Sequence, residues 1–320
     1  MHKGKDQILK SFLGVAALSL LLIFGCKNAD NSVVQPNTSG STTDKTAMLE
    51  LTDADSAVSS FMPNYNEDSE MNITSYDGVT IYPIHVWHRM ALANRDFNVN
   101  VIGDSAFGTI TSTFNGTLFI AASFDSTGGN RDTVIQKQFS TVVTRNLIFR
   151  KIDSTSDPRH NWRLEAVSLP KGGTQSQNVY VTKLTITLPN DSVIVITDPN
   201  QFYLSRGRHW WHTIPVIRNG DIVKVQVEIY SAYSDTDFVT LTHGADFQGR
   251  HRAKRLLKLI SSTPSGNGFD KVYEQTYRVQ QWPGIYHAVI NAIPRQVIFD
   301  PNAEVESDSW GLLYAAIPRF

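Results

Sequence analysis

His209, Trp210, Trp211 and His212 stand side by side, and no other run in the chain gathers so many chemically useful side chains. Imidazoles can ligate zinc, and indole rings can stack on a sugar face or on lipid. Arg206 and Arg208, just upstream, add hydrogen-bond donors. Geometry then restricts the choice. In a strand, successive side chains alternate between faces, so His209 and His212 point apart and cannot share a metal. By the same rule only one of Trp210 and Trp211 faces solvent. His85 and His88 repeat this spacing and this constraint. His243, Asp246 and His251 are near one another in sequence, but nothing in the pattern brings them together. Trp210, Trp211, His209 and His212 are therefore read as the candidate ligand-binding residues, with one indole inward and one outward; the alternative is that the run serves core and surface packing alone. No metal and no cofactor are expected.

Motifs that would signal catalysis are missing. There is no glycine-rich phosphate loop, HExxH, GxSxG or CxxC, so no catalytic residue is assigned and enzymatic activity is not expected. Asn64, Asn66, Asp68 and Glu70 alternate as calcium ligands would. A calcium loop needs Gly at its sixth position and Glu at its twelfth, and Ser69 and Ser75 stand there. Arg250, Arg252, Lys254, Arg255 and Lys258 form the one dense basic run. It suits lipid headgroups or an acidic polysaccharide, but reads better as a charged edge strand that resists edge-to-edge association. A formal net charge of −1 over the chain excludes a general nucleic-acid role.

The elements that would position these groups are mostly β. A helix is expected over 47–62, with Ala47, Leu51, Ala54, Val58 and Phe61 on one face, Asp44 as N-cap and Pro63 as the stop. From Phe97 onward short alternating runs are divided by Gly, Pro, Asn and Asp. They cover 117–123, 141–150, 162–167, 179–188, 193–197, 214–218, 221–230, 238–242, 271–279, 285–293, 296–299 and 312–317. Lys171, Gly172 and Gly173 read as a turn. Asn219 and Gly220 read as a hairpin turn. Beyond it Val223, Val225, Val227 and Ile229 form a buried face, and Lys224, Gln226 and Glu228 a wet one.

The N-terminus carries Lys3, Lys5 and Lys10, then an apolar run over 12–24 that ends Leu21, Leu22, Ile23, Phe24, Gly25, Cys26. This run is shorter than the roughly 20 residues that span a membrane, and its flanks are those of a signal peptide. It resembles the lipobox of bacterial lipoproteins. The resemblance implies that residues 1–25 are removed and that Cys26, the chain's single cysteine, receives the lipid. Acyl chains would then hold the protein on a membrane. Lys27, where Asp would signal inner-membrane retention in that family, points to the outer membrane. Residues 26–45, polar and without period, would be the disordered lipid-anchored tether.

A second resemblance lies near the C-terminus. Gly284, Ile285, Tyr286, His287, Ala288, Val289, Ile290, Asn291 and Ala292 resemble strand F of an immunoglobulin-like sandwich. Tyr286 stands at the tyrosine-corner position and Ala288 where the second cysteine would be. The valine strand after Gly220 and Asp221 resembles strand B. The expected fold class is therefore mainly β: a β-sandwich with an Ig-like C-terminal domain and a short N-terminal helix after the tether. The expected division is 1–25 signal peptide, 26–45 tether, 46–200 helix plus β-rich domain, and 201–320 Ig-like domain. The expected role is structural or adhesive, binding a glycan or protein at the cell envelope. The alternative is an envelope polysaccharide or peptide hydrolase.

Overall fold

The computed structural model describes residues 42–55, 58, 82–125, 131–206, 214–245 and 252–318. After helix α1 (Thr42–Ala54) come three long antiparallel strands: β1 (Tyr82–Ile102), β2 (Ser105–Ser123) and β3 (Thr133–Lys151). They pair along almost their whole length as a meander. A one-turn helix, α2 (Pro158–Asn161), leads into β4 (Trp162–Ser168) and β5 (Lys171–Gly173). The remaining strands are β6 (Val179–Thr187), β7 (Val193–Ile196), β8 (Tyr203–Ser205), β9 (Val216–Arg218), β10 (Ile222–Ser231), β11 (Phe238–Ala245), β12 (Ala253–Leu256), β13 (Lys258–Ser265), β14 (Gly268–Arg278), β15 (Gly284–Ile293) and β16 (Asp308–Ile317). A short helix, α3 (Arg295–Phe299), precedes β16. No helix among the described residues is long and apolar enough to cross a membrane.

The C-terminal half is a β-sandwich. One sheet runs β13-β14-β10-β6-β7, and the facing part of the other runs β16-β15-β11-β12. Taking β6, β10, β11, β12, β13, β14, β15 and β16 as A, B, C, C′, D, E, F and G gives D-E-B-A against G-F-C-C′. That is the strand order of an immunoglobulin-like sandwich. The expected inward face of β10 is the one buried: Val223, Val225, Val227 and Ile229 are all at most 1 % exposed. They pack with Val239, Leu241, Ala288, Ile290 and Trp310 in one core. Tyr286 is buried and its hydroxyl donates to the Trp282 carbonyl oxygen at 2.9 Å. This bond ties the corner to the backbone just upstream, as the strand F likeness implies.

The pairing corrects several expectations. The sandwich begins with β6 at Val179, so residue 200 is no boundary. β5 lies between β3 and β16, with Gly172 opposite Val143 on one side and Ser309 on the other. It joins the meander and the sandwich edge into one sheet, so Lys171, Gly172 and Gly173 are a strand and not a turn. A Cβ on Gly172 would lie 2.8 Å from a Val143 methyl, and one on Gly173 would run into the Ser307 carbonyl. Asn219 and Gly220 do form a turn, with Gly220 at φ 75°, but not a hairpin. β9 instead pairs in parallel with β16, while β10 pairs with β14 and β6.

Residues 296–299 form helix and not strand. Pro294 caps the helix start, and Val297, Ile298 and Phe299 are all buried. The buried Lys137 ammonium of β3 donates to the carbonyls of Val297 (2.6 Å), Asp300 (2.5 Å) and Ala303 (2.9 Å). It thereby satisfies acceptors that a helix end leaves open.

The meander's inner face lies over the outer face of β15. His88, Met90, Leu118, Phe139 and Thr141 meet Val289, Asn291 and Ile293 around a cavity of about 30 Å³, room for a water or two. Val86, Leu118 and Ile120 pack with Phe238, Ile293 and the apolar side of α3. β11, β15 and β16 are consequently buried on both faces. At the other end of the meander, α1 packs through Met48 against Phe97, Ile110, Leu147, Phe149 and Trp162. α1 starts at Thr42, so Asp44 lies in its first turn and is not the N-cap; its carboxylate accepts from the Trp162 indole at 3.1 Å. The buried stripe centres on Ala47, Met48 and Thr52, and Ala54 is exposed. Of the expected continuation, Val58 is buried, and Phe61 lies outside the described residues.

Candidate functional site

The outer face of the meander carries a broad array of exposed and half-buried polar side chains. Strand alternation sends every second residue outward, and the register places these residues in rows across β1, β2 and β3. Successive rows are Trp87, Phe119 and Gln136; Arg89, Thr117 and Gln138; Ala91, Asn115 and Ser140. Next come Asn94, Thr113 and Val142; Asp96, Thr111 and Thr144; Asn98, Thr109 and Asn146. A β-bulge at Ala93 changes the parity of β1, so odd residues face outward before it and even residues after it. Asn94, Asp96, Asn98, Asn115, Gln136, Gln138 and Ser140 are exposed, and the four β2 threonines are half-buried among them.

Aromatic rings close one end of this face. Trp87 and Phe119 stack with centroids 5.2 Å apart and planes within 8°. The Arg89 guanidinium lies over the Phe119 ring at 5.9 Å. Along the face Thr117 donates to Gln138 at 3.0 Å, Thr109 to Asn146 at 3.0 Å, and Asn94 to Asp96 at 2.9 Å. At the far end the Asn146 amide donates to the Asn200 carbonyl at 3.1 Å. Beside β1 the face continues into a groove of about 240 Å³ lined by Lys45, Leu49, Arg95, Asp96, Phe97 and Asn98. In the six rows Arg89 and Asp96 are the only charges. Hydroxyls and amides both donate and accept, so the face can meet a ligand's polar groups in either sense.

The buried polar groups are ties within the fold. The Lys271 ammonium meets the Asp237 carboxylate at 2.7 Å with both side chains fully buried, and it also donates to the Asp235 carbonyl. Ser231 donates to the other carboxylate oxygen at 3.0 Å, and the Asp237 amide donates to the Tyr273 hydroxyl at 2.9 Å. Burial pushes the Asp237 carboxyl up, and Lys271 pulls it back down. His243 packs on Tyr277 with centroids 4.4 Å apart and has its Nδ1 3.2 Å from the Gln280 amide. Burial, helped by the Arg255 charge, lowers its pKa to about 4. Asp308 accepts from the Val181 amide at 2.7 Å, and burial raises its carboxyl to about 6.

The sequence candidates fare differently. His209, Trp210, Trp211, His212, Asp246, His251, Arg250, the 64–75 segment and Cys26 lie outside the described residues. His85 and His88 are both buried on β1; His85 pairs with Ala121 on the outer side and His88 with Leu118 on the inner, so they do point apart. Arg252 precedes β12, Lys254 and Arg255 lie on it, and Lys258 begins β13. β12 and β13 each end their sheet, in keeping with charged edges. Among the described residues no three His, Cys, Asp or Glu side chains gather as a metal site would require. The outer face itself was missed by sequence reading. Its signal is the spacing of Thr109, Thr111, Thr113 and Thr117 against that of Asn94, Asp96 and Asn98.

No family model matches this chain, and no curated protein matches it. Among solved structures it shows a likeness to astrotactin-2, described as a conserved vertebrate-specific and perforin-like membrane protein involved in neuronal development. The two share 7 % identity over 79 % of this chain and 69 % of that one, with a TM-score of 0.22. A likeness that low carries no argument about function.

Proposed function

We propose that this protein is a lipid-anchored component of a bacterial cell envelope, structural or adhesive in role, and that it holds its ligand on the outer face of the meander. The observation that carries the binding role is that face: six rows of outward side chains, nearly uncharged, with stacked aromatics at one end. The address rests on the lipobox-like run ending at Cys26. With α1 starting at Thr42, the polar stretch over 27–41, shorter than the expected tether to 45, would separate lipid from fold by roughly 20 Å as a random coil.

The test is retention of the protein, made without residues 1–26, on envelope fragments of the producing bacterium. Thr111→Arg combined with Thr113→Arg puts two long cations in the middle of the face without touching the core. It should lower retention about tenfold or more while stability stays within about 0.5 kcal/mol. Unchanged retention would remove the face from the account. For the address, Cys26→Ser should release the full chain from membranes, and an unmodified Cys26 in the native protein would refute lipid anchoring.

A further inference from the structure

We infer that the ligand of this face is an extended, uncharged polysaccharide lying along the strands. The inference rests on the reading of the outer face as the binding site. Three features of the face select this class.

The first is charge. Arg89 and Asp96 are single charges of opposite sign, and the two rows between them carry none. The middle of the face therefore offers no counter-charge to an acidic or basic polymer, and binding such a polymer there would desolvate its charges without pairing them.

The second is the kind of polar group. No hydrogen bond ties the side chains of Thr111, Thr113, Asn98 or Asn115 to the other described residues. Hydroxyls and carboxamides both donate and accept, as sugar hydroxyls do. A protein partner would instead need apolar anchors at the centre, and the middle rows hold only Ala91 and Val142. The aromatic pair lies at one end, where the C–H face of a sugar ring can stack.

The third is shape. From Phe119 to Thr109 the face runs about 34 Å, at about 3.4 Å per residue, with polar groups about 7 Å apart along each strand and about 4.8 Å apart between strands. Such a regular, open strip fits a polymer with a short repeat better than a compact small molecule, which calls for a concave pocket.

The experiment is co-sedimentation of detergent-solubilised full-length protein with insoluble polysaccharides: cellulose, mannan and an unbranched β-glucan as uncharged probes, cross-linked polygalacturonate as anionic and cross-linked, protonated chitosan as cationic. At least one uncharged polymer should carry the protein down. The bound fraction should change less than about twofold from low salt to about 1 M, where exposed charges are screened. Trp87→Ala and the Thr111→Arg, Thr113→Arg pair should each cut it about tenfold, with melting of the arginine pair unchanged. Binding only to the charged polymers, weakening with salt, would overturn the ligand class. So would the absence of binding to every uncharged probe. If envelope retention still depends on Thr111 and Thr113 in those cases, the face reading survives and only the class fails. Binding to an uncharged polymer that neither variant reduces would overturn the face itself.

Discussion

Two buried groups should make the stability of this protein respond to pH in opposite directions, and single substitutions should separate them. His243 is 3 % exposed and Asp308 9 % exposed. An unfolded chain protonates His243 near 6.5, whereas the folded chain resists until about 4. The stability associated with neutral His243 is thus complete above pH 6.5 and is lost as the pH falls towards 4. At about 1.36 kcal/mol per pH unit the full effect is about 3 kcal/mol. Asp308 has the reverse sign. Its folded carboxyl takes a proton at about 6 and its unfolded one at 3.8. Burying the carboxylate therefore costs about 3 kcal/mol above pH 6, and the cost disappears as the pH falls to 3.8. Between pH 6 and 4 the two effects nearly cancel. Asp308→Asn keeps a carbonyl for the Val181 amide but removes the titration. From pH 6 to pH 4 it should lose about 2 kcal/mol more than the wild type. His243→Gln should gain about the same amount relative to wild type over that range. Urea unfolding at half-unit pH steps reads both. Asp308→Asn and wild-type profiles that run parallel within about 0.5 kcal/mol would refute the reasoning.

Other expectations concern the ties that hold the sandwich and meander. Tyr286→Phe removes only the 2.9 Å bond to the Trp282 carbonyl and should cost about 1 kcal/mol in urea melts, whereas Tyr286→Ala should cost about 3–5 kcal/mol. Lys271→Met strands the fully buried Asp237 carboxylate and should cost about 3–5 kcal/mol. Adding Asp237→Asn should recover part of that loss, seen as a favourable coupling in a double-mutant cycle. Lys137→Met leaves three carbonyls around the end of α3 without their donor. It should cost about 1–3 kcal/mol and raise amide exchange in α3 and residues 300–303 more than in β10.

The parts of the fold legible in the sequence are those where one face of a regular strand is buried. The Val223, Val225, Val227 and Ile229 series reads as a half-buried strand because no bulge interrupts it, and Tyr286 reads as a corner because its hydroxyl has a defined job. β1 is hidden by its bulges at Ile84 and Ala93, each of which shifts the alternation by one residue. The first half of β2 is hidden by chemistry. Its outward threonines look like loop composition, although Ala106, Ile110 and Phe114 alternate with them as buried residues. β5 escaped because two glycines signal a turn, and only packing reveals that nothing larger than glycine fits between β3 and Ser307. The Asn219–Gly220 turn was visible, but local residues do not say which sheet each arm joins. The outer face depends on register across three strands, and β1 and β2 had to be recognised as paired partners before their polar residues could be read as one surface.

The central claim is that the meander's outer face, and not the sandwich, meets the ligand. Hydroxyl-radical footprinting with and without saturating envelope fragments tests it directly, because both surfaces carry aromatic reporters. Trp87 and Phe119 mark the face. Tyr180 and Tyr230, stacked at 5.0 Å on the outer side of the sandwich, mark the alternative. The account predicts that envelope fragments protect Trp87 and Phe119 and leave the oxidation of Tyr180 and Tyr230 unchanged. Protection of Tyr180 and Tyr230 with Trp87 and Phe119 unaffected would contradict it.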